Sequence, residues 1–406
     1  MAQVLLPSAS VHVEYLPSSK YETKQPPKED PFRHRSLANS HNHHELHPWG
    51  SEIKARSKEF DALYAEANNR YMYHLWYTPA LAPYMATKLV AISPLPRQLT
   101  DILAAVVRQT LASGVDAAIQ SDNGQHLVQE IRNVLEGTSL TPKDRIFVRL
   151  GATSTKDSFA IDVPTTKPSP MAPEPEMILR RILTSGRCVG RLLALADGIW
   201  PTDPGEALII QEWSPTVELQ REFRVFCFEG RVTAVSQDIW WEKFGWRERY
   251  SAGFVDAIMN LWESVKIHLP FDTCTMDVLM SESQSASTGW KAELIEFNGF
   301  GAHLNTGSDL FHWVDDENIL LGRAPGVTVR FVDDWEAGEN KSIKEAVKGH
   351  ALGPDNAIEQ VLPDWLALEE KLRANFNTVK LNGDEEHLVP KEKYPLPLRG
   401  RWCSAY

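Results

Sequence analysis

The segment from Lys291 to Gly301, Lys-Ala-Glu-Leu-Ile-Glu-Phe-Asn-Gly-Phe-Gly, constrains the fold more than any other stretch of the chain. Leu294, Ile295 and Phe297 are strand formers, yet Glu296 and Asn298 stand among them two positions apart, so the period of an extended strand puts both on one face. Upstream, Thr273 to Met280 reads as a second buried strand with a lone Asp277, and the polar run from Ser281 to Gly289 reads as the hairpin loop between the two. In an antiparallel pair Asp277 faces Glu296. Like charges opposite each other destabilise a sheet unless something positive lies between them, and an unpaired buried carboxylate is costly. Two resolutions are open. Asp277, Glu296 and Asn298 can hold magnesium against substrate phosphates, since carboxylate and amide oxygens are the hard donors that ion takes. Alternatively, the acids face solvent at a sheet margin or pair with arginine.

Charge narrows the choice of ligand. With 42 basic and 54 acidic residues, the net charge is 42 − 54 = −12, which argues against a broad nucleic-acid or anionic-membrane surface; a nucleotide needs only a local basic cleft. No apolar run approaches the roughly 20 residues of a membrane-spanning helix, and Met1 to Ser10 lacks the pattern of a secretory signal, so a cytoplasmic protein is expected. Cys188, Cys227, Cys274 and Cys403 have no paired spacing and suggest neither a zinc site nor a disulfide framework.

Along the chain, residues 1–50 are rich in proline, serine and charge and read as a disordered extension. It contains His41-Asn42-His43-His44-Glu45-Leu46-His47, either a transition-metal ligand set or a solvated polar loop. A helix is expected over Ser51 to Tyr73, docked by Tyr71, Tyr73, Trp76 and Tyr77, followed by a strand at Lys88 to Ile92. Helices are expected at Leu99 to Leu111, stopped by Gly114, and at Asp122 to Leu135, with Asp122 as cap and Gly137 as stop. The strand Arg145 to Leu150 leads into Gly151-Ala152-Thr153-Ser154-Thr155-Lys156-Asp157-Ser158. Its amides, hydroxyls (Ser154 among them) and the Lys156 cation suit a phosphate, though many polar loops look alike.

A short helix follows at Glu176 to Thr184, then strands at Arg191 to Leu195, Ala207 to Trp213, Glu222 to Phe228 and Arg231 to Gln237. Glu222 to Phe228 is apolar at nearly every position, so Arg224 needs an anionic partner inside the fold: a phosphate, or a carboxylate such as Glu222 or Glu296. Trp240, Trp241, Phe244 and Trp246 form an aromatic run suited to a core or lid contact, and Phe254 to His268 has the spacing of a helix. Leu310 to Trp313 is expected to pack back on the body, Val327 to Val332 to form a strand, and residues 336–406 to be a peripheral extension with one helix at Trp365 to Phe376.

Taken in order, Trp76-Tyr77 with Leu89 to Leu95, Phe147-Val148-Arg149-Leu150 before Ser154-Thr155-Lys156-Asp157, Ile209-Ile210-Gln211-Glu212-Trp213, Glu222-Phe223-Arg224-Val225-Phe226, Val235-Ser236-Gln237, Asp277-Val278 and Leu294-Ile295-Glu296-Phe297-Asn298 resemble the cell division cycle protein 123 family of ATP-grasp proteins. The resemblance covers about residues 75–330. It implies an α+β, ATP-grasp-like fold in which two α/β lobes with mostly antiparallel sheets enclose a nucleotide cleft. The corresponding domain is 51–335, with an N-terminal lobe at 75–140, a central lobe at 141–235 and a C-terminal lobe at 236–335.

By the same resemblance, Arg149 stands where the family has a nucleotide-binding lysine, Gln211, Glu212 and Trp213 match the hinge strand beside adenine, and Arg224 matches a phosphate-side arginine. Asp277, Glu296 and Asn298 match the magnesium ligands, Glu296 replacing an aspartate. Departures are Arg149 itself, Ser154-Thr155 for a serine-proline pair, Gly299 where proline is usual, a longer loop before Leu310-Phe311, and an N-terminal extension with no counterpart. ATP and Mg²⁺ are the implied cofactors. The implied role is an assembly chaperone that helps build translation initiation factor 2; the alternative is an ATP-dependent carboxylate-amine ligase acting through an acyl phosphate on a small molecule or peptide.

Overall fold

A computed structural model describes residues 10–16, 69–156, 158, 170–196, 205–215, 217, 221–237, 252–301, 308, 310, 311, 313, 315–332, 376–380 and 386–390. Its strands are β1 (Val11–Leu16), β2 (Leu89–Leu95), β3 (Ile146–Leu150), β4 (Glu206–Glu212), β5 (Glu222–Phe228), β6 (Arg231–Gln237), β7 (Cys274–Glu282), β8 (Trp290–Asn298), β9 (Val327–Val332), β10 (Phe376–Lys380) and β11 (Glu386–Pro390). The longer helices are α1 (Arg97–Ser113), α2 (Val115–Gln120), α3 (Asp122–Glu136), α4 (Pro175–Leu183), α5 (Gly186–Ala196) and α6 (Ala252–Val265). Among the described residues, no helix is long and apolar enough to cross a membrane.

The chain is α+β with mostly antiparallel pairing, and it divides into two compact units whose boundaries fall after Thr87 and after Trp213. The first unit holds a six-stranded sheet in the order β1-β9-β6-β5-β7-β8. Only β1–β9 and β9–β6 run parallel. The β5–β6 hairpin closes at Glu229 and Gly230, with φ of 47° and 73°, the left-handed pair that a tight hairpin turn requires. Helix α6 covers one face, setting Phe254 against Phe223, Trp290 and Phe331 at centroid distances of 5.0, 5.3 and 6.5 Å. Burying such a ring contributes roughly 1.5–3 kcal/mol.

On the opposite face, Phe226 meets Phe311 and Trp313, each at 5.6 Å, so the Leu310–Trp313 stretch does return to the sheet. Trp76 packs edge-on to Phe297 at 5.0 Å, and Tyr71, whose hydroxyl donates to the Thr273 carbonyl, lies 4.6 Å from Phe271. The β8 margin is partly covered where the Ala86 amide donates to the Leu294 carbonyl at 2.7 Å.

The second unit holds the three-stranded antiparallel sheet β2-β4-β3. Ile146, Val148, Leu150, Leu208 and Ile210 join Val106, Ile131, Leu179 and Leu192 from the helices in one core. Within that core, burial pulls the Arg181 pKa down to about 10.

Five expectations change. Residues 11–16, placed by composition in a structureless extension, form β1; Val-His-Val-Glu-Tyr-Leu alternates, and six register pairs hold it to β9. Gly326, at φ 79°, permits that start, because a Cβ there would lie 2.0 Å from the Ser10 carbonyl oxygen. The segment read as a strand at Arg191–Leu195 is helical: Cys188, Leu192 and Leu195 recur at helical spacing and all are buried. Ser121, not Asp122, caps α3, its hydroxyl accepting from the Gly124 amide at 3.1 Å. The expected central lobe is divided, because β5 pairs with β7 and β6 with β9, which draws both into the first unit. At the C-terminal end β10 pairs antiparallel with β11, so Phe376 opens a strand. The His41–His47 cluster, the rest of the expected helix before Asn69, the aromatic run Trp240–Trp246, Asp157 and the helix expected from Trp365 lie outside the described residues.

Candidate functional site

The predicted β7–β8 hairpin forms, and its register sets Asp277 opposite Glu296 and Thr275 opposite Asn298. A bulge between Asp277 and Val278 shifts the register just beyond the two acids, and pairing resumes from Val278 opposite Leu294 to Glu282 opposite Trp290. On the other side of β7, Arg224 of β5 is the direct register partner of Asp277. Its Nε and Nη2 donate to Asp277 Oδ1 and Oδ2 at 2.8 and 2.9 Å, and Asn298 Nδ2 adds a bond to Oδ2 at 3.0 Å. Arg224 therefore finds an anionic partner inside the fold in Asp277.

Register partners share a face, and here they extend across the whole sheet. Glu14 stands opposite Arg330, Arg330 opposite Ser236, Ser236 opposite Arg224, Arg224 opposite Asp277, and Asp277 opposite Glu296. One residue from every strand thus builds a transverse polar row. At its β9 end Arg330 donates to Glu14 and Asp316, both at 2.6 Å, and lies 4.4 Å over the Phe311 ring. Burial alone would lower the Arg330 pKa, but the hydrogen bonds and charges of Asp316 and Glu14 raise it. Ser236 and Ser308 hydroxyls bond in the middle of the row.

The β5–β7–β8 end has a different balance. Asp277 is 2% exposed and Glu296 9%. Two carboxylates (−2) and one guanidinium (+1) leave a formal −1, with the Asn298 amide beside them. Among the described residues, no three His, Cys, Asp or Glu side chains are gathered as a metal cluster. Two carboxylates and an amide oxygen nevertheless fit magnesium, which takes one or two protein carboxylates and completes its shell with phosphate and water.

In the second unit, Arg149 and Gln211 lie on the sheet face away from the helices, because Arg149 pairs with Ile209 and Phe147 with Gln211. Both are buried, at 8% and 4% exposure. Glu212 forms a surface ion pair with Lys88, and the Trp213 amide donates to the Arg145 carbonyl at 2.8 Å, just before the unit boundary. The Gly151–Ser158 loop turns its hydroxyls inward. Thr155 donates to the Val148 carbonyl at 2.7 Å, Ser158 bonds Thr184 at 2.8 Å, and the Ser154 hydroxyl accepts from Arg187 at 3.4 Å. Lys156 is half-buried.

Beneath that loop, Glu206 accepts from the Gly151 and Ala207 amides at 2.6 and 3.0 Å and from Arg191 at 3.3 Å. Burial pushes the Glu206 pKa up, against the pull of Arg191 and the amides. Sequence reasoning passed over Glu206, Arg191, Arg330, Ser236 and Glu14. Arg330 inside the apolar strand Val327–Val332, and the alternation of residues 11–16, were the available signals.

Comparison with known proteins adds a resemblance. Residues 200–356 match the D123 family model. A CDC123-like protein of Acanthamoeba polyphaga mimivirus is 27% identical over 183 residues, 44% of this chain and 52% of that relative, so the chain spans about half the length of the curated relative it matches. Two structures of Cdc123 from Schizosaccharomyces pombe, one C-terminally truncated, each align with a TM-score of 0.48, at 19% and 18% identity, covering 66% and 65% of this chain and 98% and 97% of theirs. Residues 200–356, the stretch that is similar to the D123 family, carry every member of the polar row except Glu14.

Proposed function

We propose that this protein binds ATP with magnesium at the β5–β7–β8 end of the polar row and serves as an assembly chaperone of translation initiation factor 2. The observation that carries the reading is the convergence of Arg224, Asp277, Glu296 and Asn298 on one sheet face through strand register alone. Asp277, Glu296 and Asn298 would hold Mg²⁺, which when bound neutralises phosphate charge; Arg224 would donate to a phosphate oxygen. Arg149 and Lys156 are proposed as further phosphate cations, and Gln211, Glu212 and Trp213 as the strand end that receives adenine. The Ser154 hydroxyl, which accepts from Arg187, keeps its own proton to donate to a phosphate oxygen. The match of residues 200–356 to the D123 family model supports the chaperone role, and the partner is the protein-level part of the same proposal.

Two measurements test it. Mg·ATP at 100 times its Kd should stabilise the chain by about 2.7 kcal/mol, and Glu296→Ala should abolish that gain. An unchanged gain in the variant would put the nucleotide elsewhere. Pull-downs from native extract should recover translation initiation factor 2 subunits more strongly with ATP than without it, and equal recovery would remove the ATP-dependent part of the role.

A further inference from the structure

Asp277 offers an awkward seat for a metal ion as it stands. Arg224 engages both of its carboxylate oxygens, at 2.8 and 2.9 Å, and Asn298 a third time, at 3.0 Å. A divalent ion bound at about 2.1 Å from either oxygen would stand within a few ångströms of the guanidinium, and two cations that close repel strongly in a partly buried site. The two partners are not equally confined: the Asp277 side chain is 3% exposed and the Arg224 side chain 16%. Strand register fixes both backbones, so the cation can leave only by rotating its own side chain. A polyphosphate gives it somewhere to go, because a guanidinium binds phosphate oxygens in the same two-pronged way it binds a carboxylate.

We propose that Arg224 is a resident counter-cation that keeps free divalent metal off Asp277 until a polyphosphate takes the guanidinium, so that metal and nucleotide load together. This rests on the magnesium-nucleotide reading of the site and adds an order to it. The metal raises the affinity for nucleotide, the nucleotide raises the affinity for metal by the same factor, and Arg224 carries that coupling.

The experiment uses the full chain and Mn²⁺, followed by the loss of its free-ion electron paramagnetic resonance signal, with no nucleotide present. Arg224→Met should bind Mn²⁺ about tenfold or more tightly than the natural chain, with Arg224→Lys in between. Combining Arg224→Met with Asp277→Asn should erase the gain. The same proteins are then titrated with Mn·ATP, where Arg224→Met should bind more weakly than the natural chain.

Equal or weaker free Mn²⁺ binding by Arg224→Met, alongside Asp277-dependent Mn·ATP binding by the natural chain, would overturn the inference and leave the site intact. No Mn·ATP binding by any of the proteins would remove the site and the inference together. Should Arg224→Met unfold, Arg224→Lys decides: a single-pronged cation must still give tighter free Mn²⁺ binding than the natural arginine.

Discussion

Two arginine–carboxylate pairs, Arg191–Glu206 in one unit and Arg224–Asp277 in the other, differ in what surrounds them. Around Glu206 the accounts close: one carboxylate meets one guanidinium and two backbone amides, and the two side chains are 6% and 0% exposed. Around Asp277 a second carboxylate, Glu296, stands directly opposite in register, and the guanidinium is the more exposed member of the pair. A closed pair fixes the Gly151 turn and has no charge left to offer. A pair with a second carboxylate beside it and a partly exposed guanidinium has the charged, accessible groups a binding site needs.

The largest expected effect comes from opening the closed pair. Glu206→Ala should cost about 3–5 kcal/mol in urea unfolding, because Arg191 and the Gly151 and Ala207 amides lose their buried acceptor. A cost below about 1 kcal/mol would mean that water replaces the carboxylate and the pair is not structural. Asp277→Asn should cost less without ligand, since Glu296 stays on the same face to offset Arg224. It should nevertheless forfeit the roughly 2.7 kcal/mol of stabilisation by Mg·ATP at 100 times Kd. A variant that keeps that increment makes the two pairs alike.

Next in size, Thr155→Val should lose about 1 kcal/mol, the worth of its bond to the Val148 carbonyl, with little change in nucleotide affinity. A tenfold affinity loss would show that the loop hydroxyls turn outward to phosphate.

The smallest effects are read against pH, and they have opposite signs. The Glu206 carboxyl is raised in the folded chain, mainly by burial. Its contribution is present below the ordinary glutamate value and is lost as pH rises through the folded one. Glu206→Gln should therefore flatten that loss. At the surface, Asp144 accepts the amide and hydroxyl of Thr141 at 2.6 and 2.8 Å, which holds its carboxyl below the ordinary value. Its contribution is present above the unfolded value and is lost as pH falls through the folded one, so Asp144→Ala should differ from the natural chain at neutral pH and converge with it in acid.

Much of the β7–β8 end of the polar row was legible because strand periodicity is local. Two residues of spacing between Glu296 and Asn298, and a hairpin-length loop back to Asp277, fix which side chains share a face before any tertiary contact is known. The helix α5 was legible in principle but masked by its run of apolar residues, which satisfies strand and helix patterns alike over a short window. The inward turn of Ser154, Thr155 and Ser158 was not legible, since a hydroxyl suits a phosphate and a backbone carbonyl equally well.

The sequence by itself determined the β5–β6 and β7–β8 hairpins, their polar faces and the need of Arg224 for an anion, because each follows from neighbours along the chain. Only the tertiary structure decided that the anion is Asp277, that Glu14 and Arg330 extend the row across the sheet, and that Glu206 rather than a phosphate anchors the Gly151 turn. Those choices depend on which strands become neighbours, and the pairing of β1 with β9 brings together residues more than three hundred positions apart, as the Glu14–Arg330 separation of 316 attests. Local propensity carries no record of such a partner; it is selected by the burial and charge balance of the assembled sheet.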